Sequence, residues 1–186
     1  MTTSNLDSDI EELVQAIQLL ASDVVSAAKL SEAGDTQFAR RAYVRAAFAL
    51  IEGNLNLMAD TILRAAGRSE IQLSPDELQI LRQERTSIDK NGTQVVSVKF
   101  VPIRQRIGRI FEIFARLFKK AHRLDKSSHG WVAFDDAIEL RNRITHPKNA
   151  RSFHVEDSVL DSVEEARKWF ADSVELLLTV CFGTDQ

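Results

Sequence analysis

Residues 131–147 read WVAFDDAIELRNRITHP, and the order of apolar and polar side chains in this run decides the architecture. Ala133, Ala137, Leu140 and Ile144 recur at helical spacing, and Trp131, Phe134 and Ile138 make a second apolar line on the same helix. A helix that is apolar on two sides lies inside a bundle. Asp135, Glu139, Asn142 and His146 form one polar line along it. Charge on a mostly buried helix costs stability unless it is paired or wet, so this line is predicted to face a partner, a cavity or a cleft. Pro147 stops the helix, because the residue before proline is steered away from helical geometry.

Working outward, the neighbouring stretches repeat the same helical period. A first helix is expected to open at a capping box, Ser8 with Glu11, to carry Ile10, Leu13, Val14, Ile17, Leu20, Ala21 and Val24 on one face, and to end near Gly34. A second, capped by Asp35 and ending at Gly67, would span roughly 45 Å at about 1.5 Å per residue. Ala42, Ala46, Ala49 and Gly53 would let a neighbour approach it closely, and Arg41, Arg45, Glu52 and Asn56 form a polar line. Ser74-Pro75-Asp76-Glu77 opens a short helix with a second capping box. Residues 88–101 have β character around the Asn91-Gly92 turn signal and predict a short extended or hairpin insertion. Pro102 restarts the helix, with Ile103, Ile107, Ile110, Phe111, Phe114, Leu117, Phe118 and Ala121 as its apolar face. Lys119, Lys120, His122 and Arg123 are expected in its last turn. A final helix over about 159–182 presents Val159, Val163, Ala166, Phe170, Val174, Leu177 and Cys181. The expectation is one all-α domain over 1–186: an antiparallel bundle of about five helices, four long and one short, with 1–7 and 183–186 as disordered tails.

Composition agrees. Hydrophobic residues at 44% and charged residues at 27% suit a globular domain with a real core. Seven glycines and three prolines are few for a many-turned β fold. The single Cys181 excludes an intramolecular disulfide framework and a cysteine-based zinc site. Residues 1–9 are polar and acidic, unlike a signal segment, and no stretch reaches the ~18 uninterrupted apolar residues of a span. The expected location is cytoplasmic, with no membrane partner. Net charge is −3, yet the middle of the chain is basic: Arg40, Arg41 and Arg45, then Arg104, Arg106, Arg109, Arg116, Lys119, Lys120 and Arg123, then Arg141, Arg143, Lys148 and Arg151. Each group alone reads as solvated surface, while the three together point to a polyanion.

Several chemistries lack their residues. There is no glycine-rich phosphate loop, no Glu-x-x-His pair for a di-iron bundle and no G-x-S-x-G turn. The four histidines show no metal-ligand spacing. What remains is Glu139-Leu140-Arg141-Asn142-Arg143-Ile144-Thr145-His146. Arg141 stands about 100° from the polar line, so spacing alone does not bring it to His146. His146, at the helix end before Pro147, need not follow helical geometry, and a long arginine can cover the gap. Two readings are open. In one, Arg143 and His146 bond the last carbonyls and Glu139 pairs with Arg143, which stabilises a helix end. In the other, Arg141 and His146 act together on a substrate.

Arg141-Asn142-Arg143-Ile144-Thr145-His146, ending a late bundle helix, resembles the signature of the HEPN superfamily: an Arg, a polar residue after it, and a His four to six positions on. The match carries over at Arg141, Asn142 and His146. The second helix, from Phe38 through Arg45 to Glu52, is similar to HEPN second helices, while residues 88–101 fit no shared pattern. The resemblance implies a homodimer whose two motifs line one cleft and cut RNA without metal or cofactor, in toxin–antitoxin or defence settings. In that scheme His146 moves a proton and Arg141 holds the scissile phosphate by forked hydrogen bonds. Asn142 positions the phosphate or the histidine. Arg45, Glu52 and Glu139 would support these groups, and Arg109, Arg116, Lys119, Lys120, Arg143 and Lys148 would face the RNA backbone. Other HEPN relatives imply a bundle that does not cut but regulates, with a nucleotidyltransferase or a small antitoxin as partner. An unrelated helical interaction domain is the third alternative.

Overall fold

A computed structural model describes residues 5–183 except 89 and 92, and excludes the side chains of Ser31, Arg85 and Thr86. The elements run α1 (Asn5–Ala33), α2 (Gln37–Gly67), α3 (Pro75–Arg82), β1 (Glu84–Ile88), β2 (Gln94–Val98), α4 (Ile103–Leu117), α5 (His129–Thr145), a 3₁₀ turn (Ala150–Phe153) and α6 (Asp157–Phe182). The all-α bundle is as expected, with six α-helices among the described residues in place of about five.

Two antiparallel hairpins, α1–α2 and α5–α6, build most of the bundle, and α4 closes it against α2 and α6. The core is one cluster. Ile51, Leu55, Met58 and Ile62 of α2 meet Ile107, Ile110, Phe111 and Phe114 of α4, with Phe134, Ile138 and Ile144 of α5 and Val163, Phe170 and Leu177 of α6. Both apolar lines of α5 face the core, buried except for the partly buried Trp131, so the helical reading of residues 131–147 holds. Leu20 of α1 lies where a Cβ at Gly53 would stand, 2.7 Å away, so that glycine admits the neighbouring helix. By length and a mean hydropathy of 1.3 over its best window, α1 could cross a membrane. In the bundle its Leu13, Val24 and Ala27 are buried, and its buried Asp9 pairs with Arg64 (3.1 Å) and Arg68 (2.6 Å) of the α2 end.

Several element ends differ from expectation, each for a local reason. Helix α1 begins at Asn5, so Ser8 is inside it rather than its cap and residues 5–7 are no tail; the call on residues 1–4 and 184–186 lies outside the described residues. Thr36, not Asp35, caps α2: its hydroxyl accepts from the Ala39 N–H at 3.1 Å, while Asp35 pairs with Arg40. Gln83 takes a left-handed conformation (φ 53°) that ends α3 at once, so the hairpin starts at Glu84, earlier than 88. Its pairing runs from Glu84–Val98 to Ile88–Gln94. Helix α4 stops at Leu117 because Lys119 is left-handed (φ 59°) and the Lys120 N–H returns to the Ala115 carbonyl at 3.1 Å. Lys119, Lys120, His122 and Arg123 therefore lie beyond the helix, not in its last turn.

The second capping box forms as read, with Glu77 N–H to Ser74 Oγ at 3.3 Å and Ser74 N–H to Glu77 Oε2 at 2.9 Å. Glu77 is buried, and both of its oxygens also accept from Arg116 of α4, at 2.9 and 3.0 Å. Arg116 holds this carboxyl down to about 2. A depressed carboxyl contributes stability above its unfolded value, about 4.5, that disappears as pH falls through about 2. Glu77→Gln should therefore cost about 2–3 kcal/mol at pH 7. The gap from wild type in urea titrations should shrink between pH 5 and 2; a gap independent of pH would count against this ion pair.

Candidate functional site

Helix α5 supplies Arg141 and Asn142 from its last turn, and α2 supplies Glu52 opposite them. The Arg141 guanidinium, half-buried, meets Glu52 Oε1 at 2.5 Å and donates to Asn142 Oδ1 at 3.0 Å. These three line a cleft of about 200 Å³ with Asn56 of α2 and Arg104 and Arg106 of α4. The sequence motif and the second helix thus meet in space: Glu52 orients the arginine that the motif names. A forked donor held by a carboxylate on one side keeps donors for an anionic oxygen on another.

His146 lies four residues beyond Asn142. It ends α5 as its C-cap (φ −122°, ψ 66°), its N–H bonding the Asn142 carbonyl at 2.9 Å. Its ring is exposed and is not among the groups lining the Arg141 cleft. The structure therefore brings Arg141, Asn142 and Glu52 together and leaves His146 outside their cleft, exposed to solvent.

Glu139 does not pair with Arg143. With Asp135 it binds Arg104 of α4, at 3.1 and 2.6 Å, which resolves the cost of the acidic line on α5. Arg143 instead donates to the His154 carbonyl at 2.9 Å, and Arg41 of α2 donates to the adjacent Phe153 carbonyl at 3.1 Å while stacking over the Phe153 ring. Gln37 bonds both backbone groups of Val155, and Arg40 adds a bond to the same carbonyl at 2.9 Å. Residues 153–155 are thereby strapped to the start of α2. Arg41 and Arg143 bond carbonyls there, and among the described residues neither is in an ion pair. Arg45, Lys148 and Arg151 are exposed.

The remaining expected RNA-facing residues sit elsewhere. Arg109 pairs with Glu112 (2.8 Å), Arg116 is engaged by Glu77, and Lys119 and Lys120 follow the end of α4. The reading of the sequence counted Arg106 in a basic group but did not place it in the site. It is buried (7% exposed), it bonds Asn56 at 2.6 Å, and its Nε has no partner. A signal existed: Arg106 stands three residues after Ile103 and four before Ile110, on the apolar face of its helix.

Among the described residues no group of three or more His, Cys, Asp or Glu converges as a metal-binding cluster. Comparison with protein-family models, with curated proteins and with solved structures finds no match to this chain.

Proposed function

We propose that this chain is a metal-independent endoribonuclease of the HEPN type, acting as a homodimer. The observation that carries the reading is the Arg141 guanidinium, aligned by Glu52 and Asn142 one helical turn before a solvent-facing His146. Arg143, Lys148 and Arg151 flank His146 in the sequence and would suit a polyanionic backbone. RNA brings its own nucleophile. His146 takes the proton of a ribose 2′-OH, the 2′ oxygen bonds to phosphorus, and the P–O5′ bond breaks as the leaving oxygen is protonated. The products are a 2′,3′-cyclic phosphate and a 5′-hydroxyl. Arg141 stabilises the charge that builds on the phosphoryl oxygens. Pairing two protomers supplies a second histidine, so one serves as base and its copy as acid.

A second reading rests on a specific observation: Arg141 is already paired with Glu52, and His146 lies outside their cleft. It makes the chain a dimeric regulatory bundle that binds without cutting, with a nucleotidyltransferase or a small antitoxin as partner.

Incubation of the purified protein with mixed-sequence RNA in excess EDTA tests the first reading. Cleavage should proceed, and a strand with 2′-deoxyribose at the cut position should stay intact. Intact RNA throughout would favour the regulatory bundle, and cutting of the deoxy position would remove the 2′-OH mechanism.

A further inference from the structure

On the far side of α2 from the Arg141 cleft lies a groove that the cutting chemistry does not use. Asn54 stands two residues after Glu52, about 200° round the helix, so it points away from that cleft. Helices α1 and α6 both pack on α2 and have little contact with each other, which leaves the groove with α2 as its floor. It encloses about 630 Å³, within the roughly 300–1,000 Å³ of small-molecule sites. Its walls are apolar: Ile17 of α1, Leu50 of α2, and Phe170, Val174, Leu178 and Phe182 of α6. From Phe170 to Phe182 the α6 wall runs about 18 Å at the helical rise. One residue contradicts this lining. Asn54 lines the groove at 2% exposure, and its Oδ1, shielded from water, has no hydrogen-bond partner. Every local preference opposes asparagine there, since it is a weak helix former and an unpaired buried amide costs stability. A buried polar atom left unpaired in a native fold calls for an explanation, and a ligand that bonds it is one.

We propose that this groove binds an aliphatic amphiphile with a neutral head, its hydroxyl or amide donating to Asn54 Oδ1 and its chain lying along α6. The charges of the lining select a neutral head. Only Arg167 and Glu175 bring charge to it. Arg167 is taken by Glu164 of its own helix at 2.7 Å, and that carboxylate also accepts from the Tyr43 hydroxyl. An anionic head would therefore meet Glu175 in a groove whose one cation is already paired. A cationic head would have to shed its water to reach the floor, a cost that a neutral amide does not offset. A hydroxyl or amide needs only one bond, and Asn54 offers it while the chain covers the apolar walls. No residue of this groove takes part in the proposed RNA chemistry, so neither reading depends on the other.

Calorimetric titration of the full chain with 1-octanol, its isomer methyl heptyl ether, and octanoate tests it. The ether keeps an apolar body and an oxygen but has no donor, and octanoate replaces the donor with a charge. Octanol should bind one to one, and the other two about tenfold more weakly, the weight of one hydrogen bond in a dry site. Asn54→Leu puts a better helix former on an apolar floor, so it should fold with an equal or higher Tm in the absence of ligand. In that variant octanol and the ether should bind equally. Ala171→Trp, at an exposed position on the groove, should block octanol while the protein stays folded. The proposal is overturned by equal binding of octanol and ether to wild type, by tighter binding of octanoate, or by octanol binding that Ala171→Trp leaves intact. Octanol that fails to bind, together with a dimer that Ala171→Trp splits in sedimentation, would assign the groove to a second copy and overturn it as well. Because binding is read directly, RNA that stays uncut sinks the nuclease and not this site.

Discussion

His146→Ala should lower the rate of RNA cleavage in EDTA by about 10²–10⁴-fold, the range for losing a positioned proton-transfer group. The ring is exposed, so its removal should leave the melting temperature within about 2 °C of wild type. Arg141→Ala should cost a similar factor by a different route, removing the donors that meet phosphoryl charge. It also strands Glu52, so a small stability loss accompanies it. The two losses should differ in kind: without Arg141 substrate binding weakens as well, whereas without His146 binding persists and turnover fails. Excess His146→Ala mixed with wild type should silence the wild-type chains, because each heterodimer keeps one histidine where the cut needs both a base and an acid. Wild-type activity undiminished by the excess would dissolve the two-protomer site. Activity surviving His146→Ala would remove the histidine from the chemistry.

How much of this arrangement the sequence reveals depends on whether the signal is local. The buried faces of α4, α5 and α6 were legible because a 3.6-residue period marks them, and the Ser74 box was legible because its partners are three residues apart. The acidic line of α5 was legible too, as Asp135 and Glu139 one turn apart, but its partner Arg104 lies 31 and 35 residues away, and no spacing rule connects them. The same holds for Glu77 with Arg116 and for the strap of residues 153–155 on Gln37, Arg40 and Arg41. Element ends were the least legible. The left-handed turns at Gln83 and Lys119 occur at residues that rarely adopt them, where glycine would have announced the break. Of the candidate site, the motif gave Arg141 and Asn142, and the polar line of α2 gave Glu52 and Asn56. Arg106 was visible as a charge on an apolar face, yet only packing shows that it is buried and bonds Asn56.

Gly130→Ala should destabilise the fold by about 2–3 kcal/mol, although alanine is the better helix former by about 1 kcal/mol. Gly130, the second residue of α5, is buried against α6, and a Cβ there would lie 2.4 Å from Trp169 Cβ and 2.5 Å from Trp169 Cγ. Relief at a flexible side-chain tip is cheap. Here the obstacle is the Cβ itself, fixed to the α6 backbone, so one helix must move. Trp169 cannot swing aside freely, since its ring packs edge-on to Trp131 at 5.5 Å and against Phe134 at 5.2 Å. For a domain of this size the cost corresponds to a fall in Tm of roughly 5–10 °C. The displacement would also reach function. Arg141 lies eleven residues further along α5, roughly 16 Å at the helical rise, and a small tilt at one end shifts the other by a comparable distance. Gly130→Ala should therefore reduce RNA cleavage at temperatures where the variant is still folded. A variant as stable as wild type would show that α5 and α6 do not approach this closely at Gly130, and the placement of Arg141 against Glu52 would lose one of its supports.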